Sequence, residues 1–215
     1  MRKKFNIFFV IDETTFHHPS FFSNFVNNLN DNLVGVGLVT KIKKKNSLDN
    51  YFFENFSRLY ISEVIKLVYL KYTRKILDKF SYFSNRDYTV KSVLKKNNIN
   101  FFEIHYDINK EEYLKKIKQL EVDIIISSNS LIFKKELLSI PKICVINRHS
   151  ALLPSYGGLL PVFQSFIHGE KFTGVSIHYM NNKIDDGEVI VRESIKINKG
   201  DTLDSLYKRC FAISS

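Results

Sequence analysis

Several residue types and patterns are scarce in this chain of 215 residues, and each scarcity excludes a class of protein. The only two cysteines, Cys144 and Cys210, are too few for a disulfide scaffold and lack the C-x-x-C spacing of zinc sites. No apolar run approaches the roughly 18 residues that a membrane span requires. We therefore expect reduced thiols in a cytoplasmic protein that does not bind membranes.

Familiar nucleotide-binding and nucleophile motifs are also missing. No G-x-G-x-x-G follows the first apolar segment, and the chain has neither a P-loop nor a G-x-S-x-G elbow. Ser150 beside His149 does not form a hydrolase pair, because adjacent residues in an extended chain point to opposite sides. The carboxylates Asp185, Asp186 and Glu188 lack the alternating spacing of a calcium loop. The sequence therefore predicts no metal site.

The net charge of +10, from 32 basic and 22 acidic residues, would suit a nucleic-acid partner. The residue usage offers another explanation, because the chain has 25 Lys against 7 Arg, with 19 Asn and two Ala. This is the composition that AT-rich codons produce. No helix is cleanly basic, and the lysine-rich residues 41–45 are typical of a solvated loop. We therefore expect a small-molecule partner rather than a nucleic acid.

The order of the apolar segments predicts an α/β fold. Residues 5–11 form a nearly continuous apolar run, which is typical of a strand buried on both faces. A helix is predicted to begin near Pro19, and residues 33–40 predict a second strand, so the chain opens β-α-β. Further strands are predicted over 101–105, 122–127, 143–146, 174–180 and 189–197, and further helices over 110–120, 134–139, 161–168 and 202–212. We predict a Rossmann-like, doubly wound, mostly parallel sheet with a C-terminal β-hairpin.

The middle of the chain predicts a helical insertion. Residues 51–96 are rich in aromatic residues and contain neither glycine nor proline, and we expect two helices that are broken near 81–86. We assign residues 1–200 to one domain that carries this insertion, and residues 201–215 to the start of a C-terminal helix with Thr202 or Asp201 as its N-cap. No C-cap glycine precedes the end at residue 215, so we expect the natural chain to continue.

Two clusters of polar residues could carry chemistry. Asn147 and His149 follow a predicted buried strand and point to the same side of an extended chain. An amide donor beside an imidazole suits oxyanion stabilisation and proton movement, but a turn cap and a strand-end histidine are the structural alternative. In the second cluster, residues 181–188, one of the carboxylates could orient His149 and raise its pKa. The alternative there is a hairpin turn around Asp186-Gly187.

The adjacent histidines His17 and His18 lie in the loop after the first predicted strand, where ligands often bind. Neighbouring histidines are poor joint ligands for a metal, and we interpret them as a surface pair. The aromatic residues over 51–84 are interpreted as helix packing rather than as a stacking platform.

Together the two clusters resemble the folate-dependent formyltransferases. This family includes methionyl-tRNA formyltransferase, glycinamide ribonucleotide transformylase and the sugar N-formyltransferases. The resemblance covers residues 120–200 closely and residues 1–50 more loosely. It rests on Asn147-x-His149, Leu152-Leu153-Pro154-x-Tyr156-x-Gly158, Thr173-Gly174-Val175 and Ile184-Asp185-x-Gly187, in this order and separation.

The resemblance implies three catalytic residues and a co-substrate, 10-formyltetrahydrofolate, with no metal. Asn147 would hydrogen-bond the formyl oxygen, His149 would handle the proton of the attacking amine, and Asp185 would orient His149. Asp186 would be a bystander. The pterin of the folate would lie against the backbone of Ser130, Leu131, Ile132 and Phe133 and of Asn181, Asn182 and Ile184.

The acceptor remains open within the family. The glycine-rich phosphate turn of the purine enzyme is absent after the first strand, where residues 12–16 read Asp-Glu-Thr-Thr-Phe, and the chain has no room for the further basic domain of the tRNA enzyme. Arg148 also stands at a position that is usually apolar. The missing turn and the missing domain favour an amine on a nucleotide-linked deoxyamino sugar for surface polysaccharide, whereas Arg148 does not distinguish between the acceptors. A methionyl-tRNA formyltransferase-like enzyme, formyl hydrolysis and a non-catalytic folate- or nucleotide-binding module remain alternatives. The insertion could shape the acceptor pocket or a homodimer contact.

Overall fold

A computed structural model describes residues 3–42, 61–78 and 87–215 of the chain. Within these ranges the strands are β1 (Asn6–Asp12), β2 (Asn32–Lys41), β3 (Phe101–His105), β4 (Ile124–Ser128), β5 (Cys144–His149), β6 (Phe172–Tyr179) and β7 (Val189–Lys196). They form one sheet in the order β3-β2-β1-β4-β5-β6-β7. The first five pair in parallel, whereas β6 runs antiparallel to both β5 and β7. The predicted α/β sheet and its C-terminal hairpin are confirmed.

The helices also follow the predicted order. They are α1 (His18–Asn28), α2 (Ile61–Asp78), α3 (Val90–Lys96), α4 (Glu111–Gln119), α5 (Lys135–Leu138), α6 (Pro161–Ile167) and α7 (Leu203–Ala212). The bounds of all helices except α2 agree with the predicted ones to within a few residues, and the predicted start of the α2 segment at residue 51 lies outside the described residues. The predicted helical break at 81–86 and the segment 51–60 lie outside the described residues. In the part of the chain that is described, no helix has both the length and the apolar character needed to cross a membrane.

The core lies on both faces of the sheet, as the continuous apolar run of β1 predicts. Adjacent side chains of a strand point to opposite faces, so Phe8 and Phe9 enter different clusters. Phe8 packs with Ile104, Ile117 and Ile125 on one face. Phe9 packs on the other face with the phenylalanines of α1, and its ring centroid lies 5.4 Å from that of Phe22. Each face is therefore covered by helices, which is the arrangement that a mostly parallel sheet requires.

The end of the predicted insertion belongs to this helical layer. In α3, Val90, Val93 and Leu94 are fully buried against β1, β2 and α1. The Thr89 side chain caps α3 by accepting the Ser92 N–H, and the Ser92 side chain returns to the Thr89 backbone. Helix α2 differs, because several of its large apolar side chains are exposed. The assignment of 51–96 as an insertion, and the domain bounds that depend on it, remain predictions.

The C-terminal helix α7 packs against the hairpin end of the sheet. Its start is capped by Thr202, which accepts the Ser205 N–H as predicted. Leu206 and Cys210 are fully buried in a third cluster with residues of α6 and β6. Phe211 reaches the cluster that contains α1. Helix α7 therefore joins the hairpin end of the sheet to the layer that contains α1.

The order of the strands determines which edge of the sheet can bind a ligand. Strand β1 lies between β2 and β4, so successive crossovers leave β1 in opposite directions and open a crevice outside the carboxyl ends of β1 and β4. Asp12 ends β1 and Ser128 ends β4, and His149 ends the neighbouring β5. The predicted Asn147 and His149 therefore reach the edge of the sheet where ligands bind in this class of fold.

Candidate active site

The three residues predicted to be catalytic meet at this edge. Asn147 and His149 come from β5, and Asp185 comes from the loop after β6. His149 Nδ1 lies 3.4 Å from Asp185 Oδ2, and Asn147 Nδ2 lies 3.4 Å from Asp185 Oδ1. The carboxylate therefore stands between the amide and the imidazole, and each of its oxygens faces one of them.

Two glycines hold Asp185 in this place. Gly158, in the loop after β5, donates its backbone N–H to Asp185 Oδ2 across 2.7 Å. Gly187 lies so close to β6 that a Cβ at this position would overlap the Tyr179 carbonyl oxygen. Asp185 itself has φ +49°, a left-handed conformation that aspartate tolerates better than most residues. The position of the Asp185 carboxylate therefore depends on the close approach of Gly187 to β6 and on the left-handed backbone of Asp185 itself.

Both ring nitrogens of His149 face oxygen atoms. Nε2 lies 2.9 Å from the Tyr156 carbonyl oxygen, so this nitrogen carries a hydrogen and donates it. Nδ1 faces the Asp185 carboxylate. A neutral imidazole has one N–H donor and one acceptor nitrogen, so it donates to the Tyr156 oxygen and leaves the Asp185 oxygen without a donor from this ring. A proton arriving on Nδ1 would therefore gain a partner at once.

Burial and charge act in opposite directions on the two titratable groups. Burial holds the pKa of His149 below its ordinary value, against the attraction of the Asp185 charge. Burial acts to raise the pKa of Asp185, but the rings of His178 and His149 and the Gly158 N–H outweigh it, and this pKa lies below its ordinary value. At neutral pH the pair is thus a carboxylate beside a neutral imidazole that is ready to accept a proton.

A fourth member of the cluster, His178, was not identified from the sequence. It lies on β6 directly opposite Asn147, and its ring is buried. Nδ1 donates to the Tyr179 carbonyl oxygen at 2.9 Å, so Nε2 of the neutral ring is the acceptor that faces Asn147 Nδ2 at 3.2 Å. The same Nε2 lies 3.4 Å from Asp185 Oδ1, to which it would donate when the ring is protonated. The available signal was a histidine within the predicted strand 174–180. Its partner became apparent once the register of β5 and β6 was known.

Two cavities meet at His149. Cavity A, of about 220 Å³, is lined by every backbone position predicted for the pterin and also by Asn147, His149 and Asp185; the predicted positions are Ser130, Leu131, Ile132, Phe133, Asn181, Asn182 and Ile184. Cavity B, of about 390 Å³, lies between the ends of β1 and β5, the start of α1 and helix α7, and it includes Asp12, His18, Arg148, His149, Pro161 and Phe211. Both cavities therefore include His149 in their lining.

The interpretation of His17 and His18 as a surface pair is wrong. His18 Nδ1 lies 3.1 Å from Thr14 Oγ1, and burial lowers the pKa of this histidine to about 3. His17 Nε2 lies 3.1 Å from Asp204 Oδ1 at the start of α7. The Phe211 ring lies 4.6 Å from the His18 ring. Helix α7, which is distant in sequence, covers the pair and makes it part of the wall of cavity B.

Arg148 is buried between aromatic rings. Its guanidinium lies 3.9 Å from the centroid of the Phe211 ring and 5.1 Å from that of Phe21. It donates to Ser150 Oγ at 2.9 Å and to the Cys210 carbonyl oxygen at 3.0 Å. Burial lowers its pKa to about 10. This unusual residue therefore fastens α7 to the end of β5, which explains how a cation occupies a position that is usually apolar.

No three histidine, cysteine, aspartate or glutamate side chains are clustered as ligands for a metal within residues 3–42, 61–78 and 87–215. Cys144 and Cys210 are free thiols.

Two curated proteins are similar in sequence to part of this chain. It is 42% identical over 108 residues to the bifunctional polymyxin resistance protein ArnA of Wigglesworthia glossinidia brevipalpis, which covers 49% of this chain and 16% of ArnA. It is 37% identical over 99 residues to methionyl-tRNA formyltransferase of Staphylococcus aureus, which covers 46% of this chain and 32% of that protein. The matches thus span about a third or less of the length of these curated relatives.

Solved structures support the fold. Glycinamide ribonucleotide transformylase 1 from Symbiobacterium toebii superposes with a TM-score of 0.66 at 14% identity, over 98% of this chain and 82% of that chain. A sugar N-formyltransferase from Shewanella sp FDAARGOS_354 superposes with a TM-score of 0.57 at 18% identity, over 97% of this chain and 65% of that chain.

The family profile described as formyl transferase matches residues 81–213, which is more than half of the chain and includes every residue of the cluster around Asp185. The protein belongs to the formyl transferase family, as the resemblance of its two polar clusters predicted.

Proposed function

We propose that this protein transfers a formyl group from 10-formyltetrahydrofolate to a primary amine. The convergence of Asn147, His149 and Asp185 where two cavities meet is the observation that carries the proposal. Formyl transfer to an amine requires a donor for the developing oxyanion, an acceptor for the amine proton and separate binding places for the two substrates. This edge of the sheet has a candidate for each.

Asn147 is the proposed oxyanion donor. One hydrogen of its amide is directed to His178 Nε2 at 3.2 Å, which sets the orientation of the amide. The other contact, with Asp185 Oδ1, is long for a hydrogen bond at 3.4 Å. A formyl oxygen that enters cavity A would compete for this weakly engaged hydrogen, most strongly when it becomes negatively charged.

His149 is the proposed proton acceptor, and Asp185 is the group that stabilises the charged ring. The proton of the attacking amine would pass to the neutral imidazole, and the resulting imidazolium would satisfy both the Tyr156 carbonyl oxygen and the Asp185 carboxylate. The Gly158 N–H fixes the carboxylate, so little rearrangement would accompany the proton transfer.

Cavity A fits the pterin of the co-substrate. Its volume suits a flat bicyclic ring system, and it is lined by residues of the loop after β4 and of the loop after β6, several of them apolar. Ile132 and Ile184 line this cavity and remain 52% and 63% exposed, so the rest of a folate could continue over them toward solvent. Backbone recognition would also explain why the side chains of these loops are chemically ordinary.

Cavity B is the proposed place of the acceptor, which we propose is a nucleotide-linked amino sugar. Residues 12–16 lack a glycine-rich phosphate turn, which disfavours a ribonucleotide of the purine type. The relative named methionyl-tRNA formyltransferase, 37% identical over its matched part, favours an aminoacyl-tRNA as the second candidate. Binding of a tRNA would weaken steeply with salt, because phosphate contacts release counterions.

A product assay by mass spectrometry tests the proposal. The protein is mixed with 10-formyltetrahydrofolate and a pool of nucleotide-linked amino sugars, with methionyl-tRNA and uncharged tRNA in parallel reactions. A formylated sugar supports the proposed acceptor, and formylated methionyl-tRNA replaces it with the second candidate. Formate with tetrahydrofolate and no formylated amine would indicate hydrolysis. Folate binding without any turnover would indicate a binding module and contradict the proposed activity.

A further inference from the structure

Asp12 lines cavity B, and one of its carboxylate oxygens is buried without a hydrogen-bond partner in the part of the chain that the structure describes. It is the last residue of β1 and therefore lies at the crevice beside the carboxyl end of β4. Its Oδ1 is buried and has no hydrogen-bond partner among the described residues. A buried carboxylate oxygen without a donor destabilises a fold, because the water that solvated it has not been replaced. The contacts of the described residues therefore do not explain why Asp12 Oδ1 is buried here.

A second buried aspartate in the same sheet shows the structural alternative. Asp123 precedes β4, and its Oδ2 accepts the Asn6 backbone N–H at 2.8 Å. This carboxylate ties the start of β1 to the strand beside it. Asp12 sits at the opposite end of β1 and has no comparable role at Oδ1.

The other charged groups that line cavity B do not neutralise Asp12. Arg148 is engaged with Ser150 and Cys210, and His17 faces Asp204. Burial raises the pKa of Asp12 to about 7, against hydrogen bonding from Ser130. A cation that entered the cavity would therefore meet a carboxyl group that gains by ionising beside it.

We infer that Asp12 binds the amino group of the acceptor in its ammonium form, through the unsatisfied Oδ1. This inference rests on the proposed function, in which the acceptor is a primary amine that enters cavity B. Primary amines of ordinary basicity carry a proton near neutral pH, and an ammonium supplies both the positive charge and the N–H donor that Oδ1 lacks. Asp12 is thus an acceptor-binding residue that selects amines over alcohols and amides.

The binding step is compatible with the transfer step. Before attack, one N–H bond of the ammonium breaks, its electron pair stays on nitrogen and the proton passes to water in cavity B. Asp12 would then retain the neutral amine through a remaining N–H. His149, which lines the same cavity, stays neutral until the nitrogen attacks the formyl carbon, and it then accepts the second proton. Water is the only further reactant that these steps need.

A pair of small probes tests the inference without turnover. D-glucosamine carries an ammonium group, and N-acetyl-D-glucosamine has the same ring with a neutral amide. In thermal unfolding near neutral pH, at matched ionic strength, we expect D-glucosamine to raise the Tm of the wild type more than N-acetyl-D-glucosamine does, and we expect Asp12→Asn to remove the difference. Equal shifts with the two sugars, or an undiminished difference in Asp12→Asn, would overturn the inference.

A comparison of two variants separates binding from structure. Asp12→Asn should raise the Tm without ligand at about pH 8, because the amide is buried without a charge, whereas Asp123→Asn should lower it by weakening the bond to Asn6. A loss of Tm in both variants would make Asp12 a structural residue and overturn the inference.

Kinetics then distinguish this inference from the proposed function. With the nucleotide-linked amino sugar of the product assay, Asp12→Asn should raise the acceptor KM by roughly tenfold or more, with the KM for 10-formyltetrahydrofolate unchanged. An unchanged acceptor KM in an active enzyme would contradict the inference alone. Selective binding of D-glucosamine through Asp12 in a protein that forms no formylated product would contradict the proposed function alone.

Discussion

The backbone N–H of Gly158 donates to Asp185 Oδ2 across 2.7 Å and so joins the loop after β5 to the loop after β6. The first loop follows the strand of Asn147 and His149, and the second carries the carboxylate between them. This hydrogen bond thus adds to the contacts of Asn147 and His149 with Asp185, which join the two polar clusters of the sequence. Changes to either loop should therefore be visible in catalysis.

Neighbouring aspartates provide a matched pair of variants. Asp185→Asn removes the charge that would stabilise protonated His149, and we expect kcat to fall on the order of a hundredfold. Asp186→Asn should leave kcat within about twofold of wild type, because Asp186 is exposed and its side chain is paired with Lys183 at the surface, where such pairs contribute little. Steady-state kinetics of formyl transfer measures both. Equal losses in the two variants would contradict the assignment of Asp185.

Replacement of His149 separates chemistry from binding. His149→Ala removes the proposed proton acceptor, so transfer should fall by a hundredfold or more. Binding of the folate, measured by calorimetry, should persist because the rest of cavity A remains. Turnover near the wild-type rate in this variant would refute the proposed mechanism.

His178 should act through Asn147. His178→Ala removes the acceptor at 3.2 Å that orients the Asn147 amide, and kcat should fall by roughly tenfold with little change in KM for the folate. His178→Gln can offer an amide oxygen to the same N–H and should recover part of kcat. Thermal unfolding of both variants provides the control, because the site is buried. Identical kcat in the two variants would argue for a role in packing.

Gly187 should be required for the position of Asp185. In Gly187→Ala, the added methyl group would overlap the Tyr179 carbonyl oxygen and push the loop away from β6. A displacement of about 1 Å can cost on the order of a hundredfold in rate, so kcat should fall by about this factor. Gly169→Ala is the control, because Gly169 has open space around it, although its φ is positive. It should lower stability and leave kcat unchanged.

The stability of the fold should depend on pH through the carboxyl group of Glu13. Burial raises the pKa of Glu13 from 4.5 to about 7, so the folded protein binds a proton more tightly than the unfolded chain does. The stability that this proton contributes is complete below about pH 4.5 and is lost as the pH rises through about 7. His18 acts in the opposite direction, because burial lowers its pKa to about 3 and the folded state then resists protonation.

The variant Glu13→Gln isolates the first effect. Glutamine can still accept the Lys91 backbone N–H that Glu13 Oε2 accepts at 2.9 Å, but it does not titrate. Relative to wild type, its free energy of unfolding should improve from pH 5 to pH 8 by roughly 1.4 kcal/mol for each pH unit below the raised pKa. Urea unfolding at several pH values measures this difference. A difference that does not change with pH would contradict the shift.

The alternation and length of apolar segments were sufficient to predict the sheet. The five-residue buried run in β1, the helix that begins near Pro19 and the hairpin at the end are local patterns, because burial on both faces and turn chemistry act within a few residues. The pairing of Asn147 with His149 was likewise readable from their spacing on one strand. The roles of these residues remain proposals that the variants above address.

Other features depended on contacts between distant parts of the chain. The sequence determined the strands, the order of the helices and which residues could carry chemistry, because these follow from local periodicity and side-chain chemistry. Tertiary structure decided that His178 faces Asn147, that α7 buries His18 and Arg148, and that Asp12 meets a cavity with one oxygen unsatisfied. These relationships arise from strand register and from packing across more than 30 residues of chain, which no local pattern encodes.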